Sequence, residues 1–138
     1  MAPNKTPLSQ STVVLVAANV VGMIWIGFGI FDLINPVEGL TFFEFKPPVL
    51  PAEQAMVNSL IYVIGIRDIF IGFAIHATAY FGNRTTLAWI MLAASAEAFL
   101  DGAVCYANGK GEWNHWGYAP MLTVVGLLLL GLFDGSKK

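Results

Sequence analysis

Long apolar runs fill most of the chain, and short polar breaks separate them. Residues 12–34 carry no charge before Asp32, and further runs follow at about 55–81, 86–107 and 117–133. A helix of ~20 residues crosses a hydrocarbon core of ~30 Å, so each run predicts one membrane span. A soluble helix keeps a polar face. Val13–Phe31 has Asn19 as its one strongly polar side chain, and Val124–Phe133 has none. The expected fold class is all-α, an integral membrane four-helix up-down bundle forming a single domain over residues 1–138. The first run exceeds the ~7–15 apolar residues of a signal peptide, and Met1–Ser11 lacks a strongly basic start.

The breaks set the connections. Gly82–Thr85 reads as a tight hairpin, which makes the second and third spans antiparallel neighbours. The Pro-rich loop 35–54 holds Pro36, Pro47, Pro48 and Pro51 and excludes a regular helix through them. Two placements remain open for it: a lid over the mouth of the bundle, or a connector among the headgroups. Trp113 and Trp116 suit an interfacial belt. His115 between them reads as an interfacial residue, with a catalytic role at the mouth as the sharper alternative.

Composition supports the membrane class. The chain is 57% hydrophobic and 12% charged, against about 25% charged in soluble domains. That balance excludes disorder. A net charge of −2 without a basic cluster argues against nucleic acid as a partner. The single cysteine, Cys105, forms neither an internal disulfide nor a thiolate cluster and reads as a small packing residue. Lys5, Arg84, Lys137 and Lys138 fall on the side of the termini, and Lys46 and Lys110 on the other. The bias predicts cytoplasmic termini, with the endoplasmic reticulum as the expected membrane. The sequons at Asn4 and Asn83 then stay unmodified.

Five charged residues break the apolar pattern: Asp32, Arg67, Asp68, Glu97 and Asp101. A charge at mid-membrane costs about 2.5–3.5 kcal/mol on insertion scales, so such residues pair or act. Glu97 and Asp101 are four apart and share a helix face. Gly65, Asp68 and Gly72 form a second stripe, and Gly22, Trp25, Gly29 and Asp32 a third. The glycines let helices approach closely, so three stripes can aim their carboxyls into one interior. Arg67 is turned by about 100° from Asp68, yet its long side chain reaches toward Glu97. Arg67 and Glu97 lie about 15–18 Å from the helix ends opposite the termini, and Asp32 lies almost at that end. With Tyr62 and Asn58 at shallow depth, the set describes a pocket open to one side.

One arginine among three carboxyls leaves an excess of negative charge. A dry site resolves it by keeping at least one carboxyl protonated, which places an acid beside a base. Arg67, Asp68, Glu97 and Asp101 are therefore the candidate catalytic residues. Glu97 or Asp101 is the expected acid, Asp68 the base, and Arg67 the group that holds a carboxylate. Asp32, Asn58, Tyr62 and Trp25 are candidate substrate-binding residues. No metal is expected, because neither His76 nor His115 stands at ligand spacing from the carboxylates. No cofactor is expected either, since no Gly-rich loop joins a strand to a helix.

The runs Gly65-Ile66-Arg67-Asp68-Ile69-Phe70-Ile71-Gly72 and Glu97-Ala98-Phe99-Leu100-Asp101-Gly102, set within four spans, carry a resemblance. The chain resembles small four-span integral membrane proteins of fungal and bacterial biosynthetic clusters. It is similar in this respect to the membrane epoxide hydrolases and cyclases of aurovertin- and citreoviridin-type polyketide pathways. The resemblance implies a cofactor-independent enzyme that opens epoxides of a lipophilic polyketide or terpenoid intermediate in secondary metabolism. Its partners are then a lipophilic small molecule and the bilayer, with a homo-oligomer as a further possibility. Three alternatives stand beside it: a structural or assembly subunit, a small proton-coupled transporter, and an isomerase of a lipophilic substrate.

Overall fold

The computed structural model describes residues 6–135. Lys5, Lys137 and Lys138 of the charge count, and Asn4 of the first sequon, lie outside the described residues. Among the described residues there is no β-strand. Six α-helices run in order: α1 (Thr12–Ile34), α2 (Pro36–Gly39), α3 (Pro51–Phe81), α4 (Arg84–Ala107), α5 (Trp113–Trp116) and α6 (Ala119–Leu129). Leu40–Phe43 forms a 3-10 turn after α2. Three helices, α1, α3 and α4, are long and apolar enough to cross a membrane. Their outer surfaces expose large apolar side chains such as Phe70, Phe73, Trp89 and Leu100. That is the arrangement for a protein whose solvent is lipid rather than water.

Local chemistry sets the helix ends. The Ser11 side chain accepts from the Val13 amide and starts α1. Asn83 does the same for the Thr86 amide at the start of α4. Both satisfy backbone donors that a helix start leaves open. Pro51 opens α3, because a proline at the first helical position loses no hydrogen bond and has the right φ. The second span therefore begins four residues ahead of the expected 55.

The fourth run departs most from expectation. In place of a helix spanning 117–133, α6 covers 11 residues, about 16 Å of rise. Gly131 ends it with φ +79°. The Gly131 amide donates to the Leu128 carbonyl at 3.0 Å and the Leu132 amide to the Leu127 carbonyl at 3.3 Å. These are the paired bonds with which a left-handed glycine closes a helix.

Helix α1 runs antiparallel to α3 along a seam of glycines. A methyl group at Gly29 would strike the Gly65 carbonyl, and one at Gly65 would lie 2.7 Å from the Gly29 carbonyl. Gly72 stands in the same relation to the Gly22 carbonyl, at 2.5 Å. No side chain fits between these backbones. On the other side, α6 packs on the half of α4 nearest the α3–α4 hairpin. Gly126 faces Leu92 and the Ala88 carbonyl. The Ser95 hydroxyl donates to the Ala119 carbonyl at 2.9 Å and meets the Thr123 hydroxyl at 2.6 Å. The other half of α4 meets α5 instead, where the Trp116 indole donates to the Phe99 carbonyl at 3.0 Å and covers Gly102.

The two ends of the molecule close differently. At one end the Ser9 amide and hydroxyl donate to Asp134 at 2.9 and 2.6 Å, and Arg84 donates to the Ser11 carbonyl at 3.2 Å. The first and last described helices thus meet the α3–α4 hairpin. At the other end the α2–α3 connection folds against the α4–α6 connection. The Asn114 amide donates to the Phe42 carbonyl at 3.0 Å, and Lys110 lies 3.8 Å from Glu44. Leu40 and Phe43 are buried with Ile61 and Cys105. Of the two placements open for loop 35–54, its first half takes the covering one.

Candidate functional site

Beneath this cover lies a cavity of about 200 Å³. Trp25 and Asp32 reach it from α1, Arg67 and Asp68 from α3, and Glu97 and Asp101 from α4. Six of the eight expected site residues therefore share one space, as the three stripes require. The other two do not line it. The Asn58 side chain accepts from Gln54 at 2.7 Å along its own helix, and Tyr62 is 39% exposed. At about 100° per residue, Tyr62 sits some 120° around α3 from Asp68. Helix phase turns Tyr62 away, whereas Asn58, nearly in phase with Gly65, lies about 15 Å along α3 from Asp68.

Arg67 organises the carboxyls. Its Nε donates to Asp68 Oδ1 at 3.0 Å. Nη1 and Nη2 donate to the two Asp101 oxygens at 3.4 and 3.0 Å, a two-pronged fork. Nη2 also lies 2.5 Å from Glu97 Oε1, a charge contact without the alignment of a hydrogen bond. A planar guanidinium suits this work because its donors lie in one fixed fork. The turn of Arg67 away from Asp68 carries the side chain across to α4. There Glu97 and Asp101, one helical turn apart, receive it together.

Asp32 stands outside the clamp. It is 4% exposed, and its Oδ1 has no hydrogen-bond partner. Gly39 packs so closely on the Asp32 carboxyl that a methyl group there would strike Oδ1. The Asp32 Cβ lies against Gly65. Buried polar atoms are nearly always bonded, so an unbonded carboxyl oxygen sealed under Gly39, on a residue that lines the cavity, marks a group suited to carry a proton.

Sequence reasoning underrated three further residues. His115, Tyr118 and Asn114 also line the cavity. His115 is 7% exposed and packs its ring 4.9 Å from Phe43. Its Nδ1 lies 3.5 Å from the Tyr118 hydroxyl, and its Nε2 has no partner. Tyr118 meets Trp25 edge to face at 5.5 Å. Desolvation holds the His115 imidazole below its ordinary pKa, and Arg67 adds to this while Asp101 opposes it. The interfacial pattern Trp113–His115–Trp116 hid the residue, because α5 folds inward where an interfacial loop was expected.

The remaining polar pair within the helices lies toward the other end. His76 Nδ1 meets Asn19 Oδ1 at 2.8 Å across the α1–α3 seam, and its Nε2 faces Gly22.

Nothing among curated proteins or solved structures matches the chain. The model of a domain of unknown function, DUF4267, matches residues 22–129, which include every cavity residue named above. By that match over most of its length, the chain belongs to the DUF4267 family.

Proposed function

We propose that the protein is a membrane-embedded, cofactor-independent acid–base enzyme. It opens an epoxide of a lipophilic polyketide or terpenoid intermediate in secondary metabolism, by hydrolysis or by cyclisation. One observation carries the reading: a largely apolar cavity holds a clamped set of carboxylates beside a separate, unpartnered carboxyl, Asp32.

The clamp assigns the roles. Arg67 donates to one oxygen of Asp68 and to both oxygens of Asp101, which favours the ionised form of both. Three carboxyls surround this one cation, and the acidic excess disfavours an anionic substrate group and favours a neutral ligand. Asp32 is contacted by no cation within ion-pair distance among the described residues, so it can carry a proton without losing an ion pair. We therefore move the acid from Glu97 or Asp101 to Asp32. It protonates the epoxide oxygen as the ring C–O bond breaks, while a water or an internal hydroxyl attacks the carbon. Glu97 and Asp68 stabilise the positive charge that develops there.

The reading includes four membrane crossings, with α6 and its flanks making the fourth, and cytoplasmic termini in the endoplasmic reticulum. Glycan on Asn4 or Asn83 in cells would overturn that orientation.

The test is incubation of purified protein with a panel of lipophilic polyepoxides, followed by mass spectrometry. A gain of one water, or an isomer of unchanged mass, is the expected result. No conversion of any member across a broad panel overturns the epoxide reading. A second reading has its own support: Arg67 ties α3 to α4, as a purely structural subunit would require. It predicts that Arg67→Met with Asp101→Leu keeps cellular function, whereas the enzyme reading predicts its loss.

A further inference from the structure

Acid catalysis at Asp32 leaves open where the proton of the attacking oxygen goes. The clamped carboxylates are poor acceptors, because Arg67 already occupies the oxygens of Asp101 and one of Asp68. Only two of the buried unpartnered polar atoms belong to cavity residues outside the Arg67 cluster: Asp32 Oδ1 and His115 Nε2. The His115 ring is fixed by Phe43 on one side, and the Tyr118 hydroxyl lies next to Nδ1. A proton on Nδ1, donated to the Tyr118 oxygen, leaves the Nε2 lone pair free.

Resting on the reading above, we propose that His115 is the general base of this cavity, taking the proton from the attacking hydroxyl or water at Nε2. Asp32 gives its proton to the epoxide oxygen, the ring C–O bond breaks, and the nucleophile's oxygen bonds to the carbon. The proton released by that oxygen goes to Nε2. The site is left with an Asp32 carboxylate and a His115 imidazolium, and its net charge is unchanged. Proton return from His115 to Asp32 resets it. The groups facing the ring are Asp101 from α4, Arg67 from α3 and Tyr118 beside α6, while the 3-10 turn contributes Phe43. Burial keeps the imidazole neutral at pH 7, which is the form a base requires.

The proposal can be tested without knowing the substrate. p-Bromophenacyl bromide is a neutral, apolar reagent. A free imidazole nitrogen displaces its bromide and forms an N–C bond. In the intact protein in detergent, peptide mapping should find His115 alkylated at least tenfold faster than His76, whose Nε2 is buried against Gly22 in the α1–α3 seam. The rate should fall as pH drops below the ordinary histidine value of about 6.5. Tyr118→Phe should leave His115 reactive but change its pH midpoint. Labelling of His76 with His115 spared overturns the proposal, whatever the epoxide panel shows. Labelling of His115 with no turnover of any epoxide overturns the epoxide reading and leaves His115 as the reactive base of the cavity. Where turnover is found, His115→Gln should lower kcat at least a hundredfold and remove the acidic limb of the pH profile. An unchanged profile in that variant also overturns the proposal.

Discussion

The two ends of this molecule treat their polar groups in opposite ways. At the end where the first and last helices meet, Asp134 accepts two bonds from Ser9, and Arg84 finds the Ser11 carbonyl. These contacts fasten chain segments far apart in sequence. At the other end, the cover formed by Leu40–Phe43 and α5 encloses a cavity in which Asp32 Oδ1 and His115 Nε2 have no partner. An unsatisfied buried polar group costs about 1–3 kcal/mol. Three of the four unpartnered buried side-chain atoms among the described residues, on Asp32, Glu97 and His115, belong to residues lining this cavity, and the fourth, His76 Nε2, lies in the α1–α3 seam, so most of that cost falls on one site. The depth of α6 explains the asymmetry. It fills the space beside α4 from Ala88 to Ser95 and stops, so α5 and Tyr118 border a void rather than a packed helix.

The largest test of this comparison acts on the seam that both ends share. Gly65→Leu or Gly72→Leu forces a side chain into a backbone-to-backbone contact. Overpacking typically costs about 1–3 kcal/mol, and here no flexible neighbour can yield. Loss of a monodisperse species in detergent, seen by size-exclusion chromatography, is the expected result. Normal folding of both variants would show that the α1–α3 seam is not close-packed.

Arg67→Met comes next. It leaves Asp68, Glu97 and Asp101 facing one another without their cation. Breaking a fully buried pair costs about 3–5 kcal/mol. Arg67 is 34% exposed, so screening reduces the loss to on the order of 1–3 kcal/mol. Thermal unfolding in detergent measures it. Arg67→Met with Asp101→Leu should recover part of the loss, because the charge excess shrinks with the cation.

Asp32→Asn separates function from stability. Asp32 Oδ1 has no hydrogen-bond partner and the carboxyl makes no ion pair among the described residues, so the melting temperature should stay close to that of the parent. Turnover should fall by a factor of about 10²–10⁴, the usual worth of a general acid. Tyr62→Phe and Asn58→Ala, at positions that do not line the cavity, should leave turnover within about twofold. A lipophilic carbodiimide, which adds to protonated carboxyls, should label Asp32 in preference to Asp101. Preferential labelling of Asp101 would return the acid to the sequence-based assignment.

The smallest effect belongs to the satisfied end. The two bonds from Ser9 hold the Asp134 carboxyl below the usual range. A depressed folded-state pKa adds stability above the unfolded value of about 3.9, and that stability is lost as pH falls through the folded value. Asp134→Asn should remove this acid dependence and change little at neutral pH, as melting curves between about pH 2 and 6 would show. A large destabilisation at pH 7 would mean that this end carries more of the fold than its exposure suggests.

How much was legible in advance differs along the chain. Three apolar runs became α1, α3 and α4 because length and composition alone make a membrane helix. The common face of Glu97 and Asp101, and the glycine stripes at 22/29 and 65/72, follow from helical spacing. Spacing also explains why Tyr62, some 120° from Asp68, does not line the cavity, while Asn58 is too far along α3 to reach it. The helix in the fourth run is shorter than its apolar stretch, which continues through Gly131, because hydropathy does not register a glycine turning left-handed.

The sequence by itself determined the class of molecule, the helices that can span a bilayer and the faces that carry charge. These follow from local periodicity, a property of consecutive residues. Tertiary structure decided which carboxylates Arg67 clamps, that Asp32 is left outside the clamp, and that His115 turns inward. Those outcomes depend on the register of α1 on α3, of α4 beside them, and on where α6 stops. Interhelical register is fixed by backbone contacts between residues some forty positions apart, such as Gly29 and Gly65, and no local pattern encodes it.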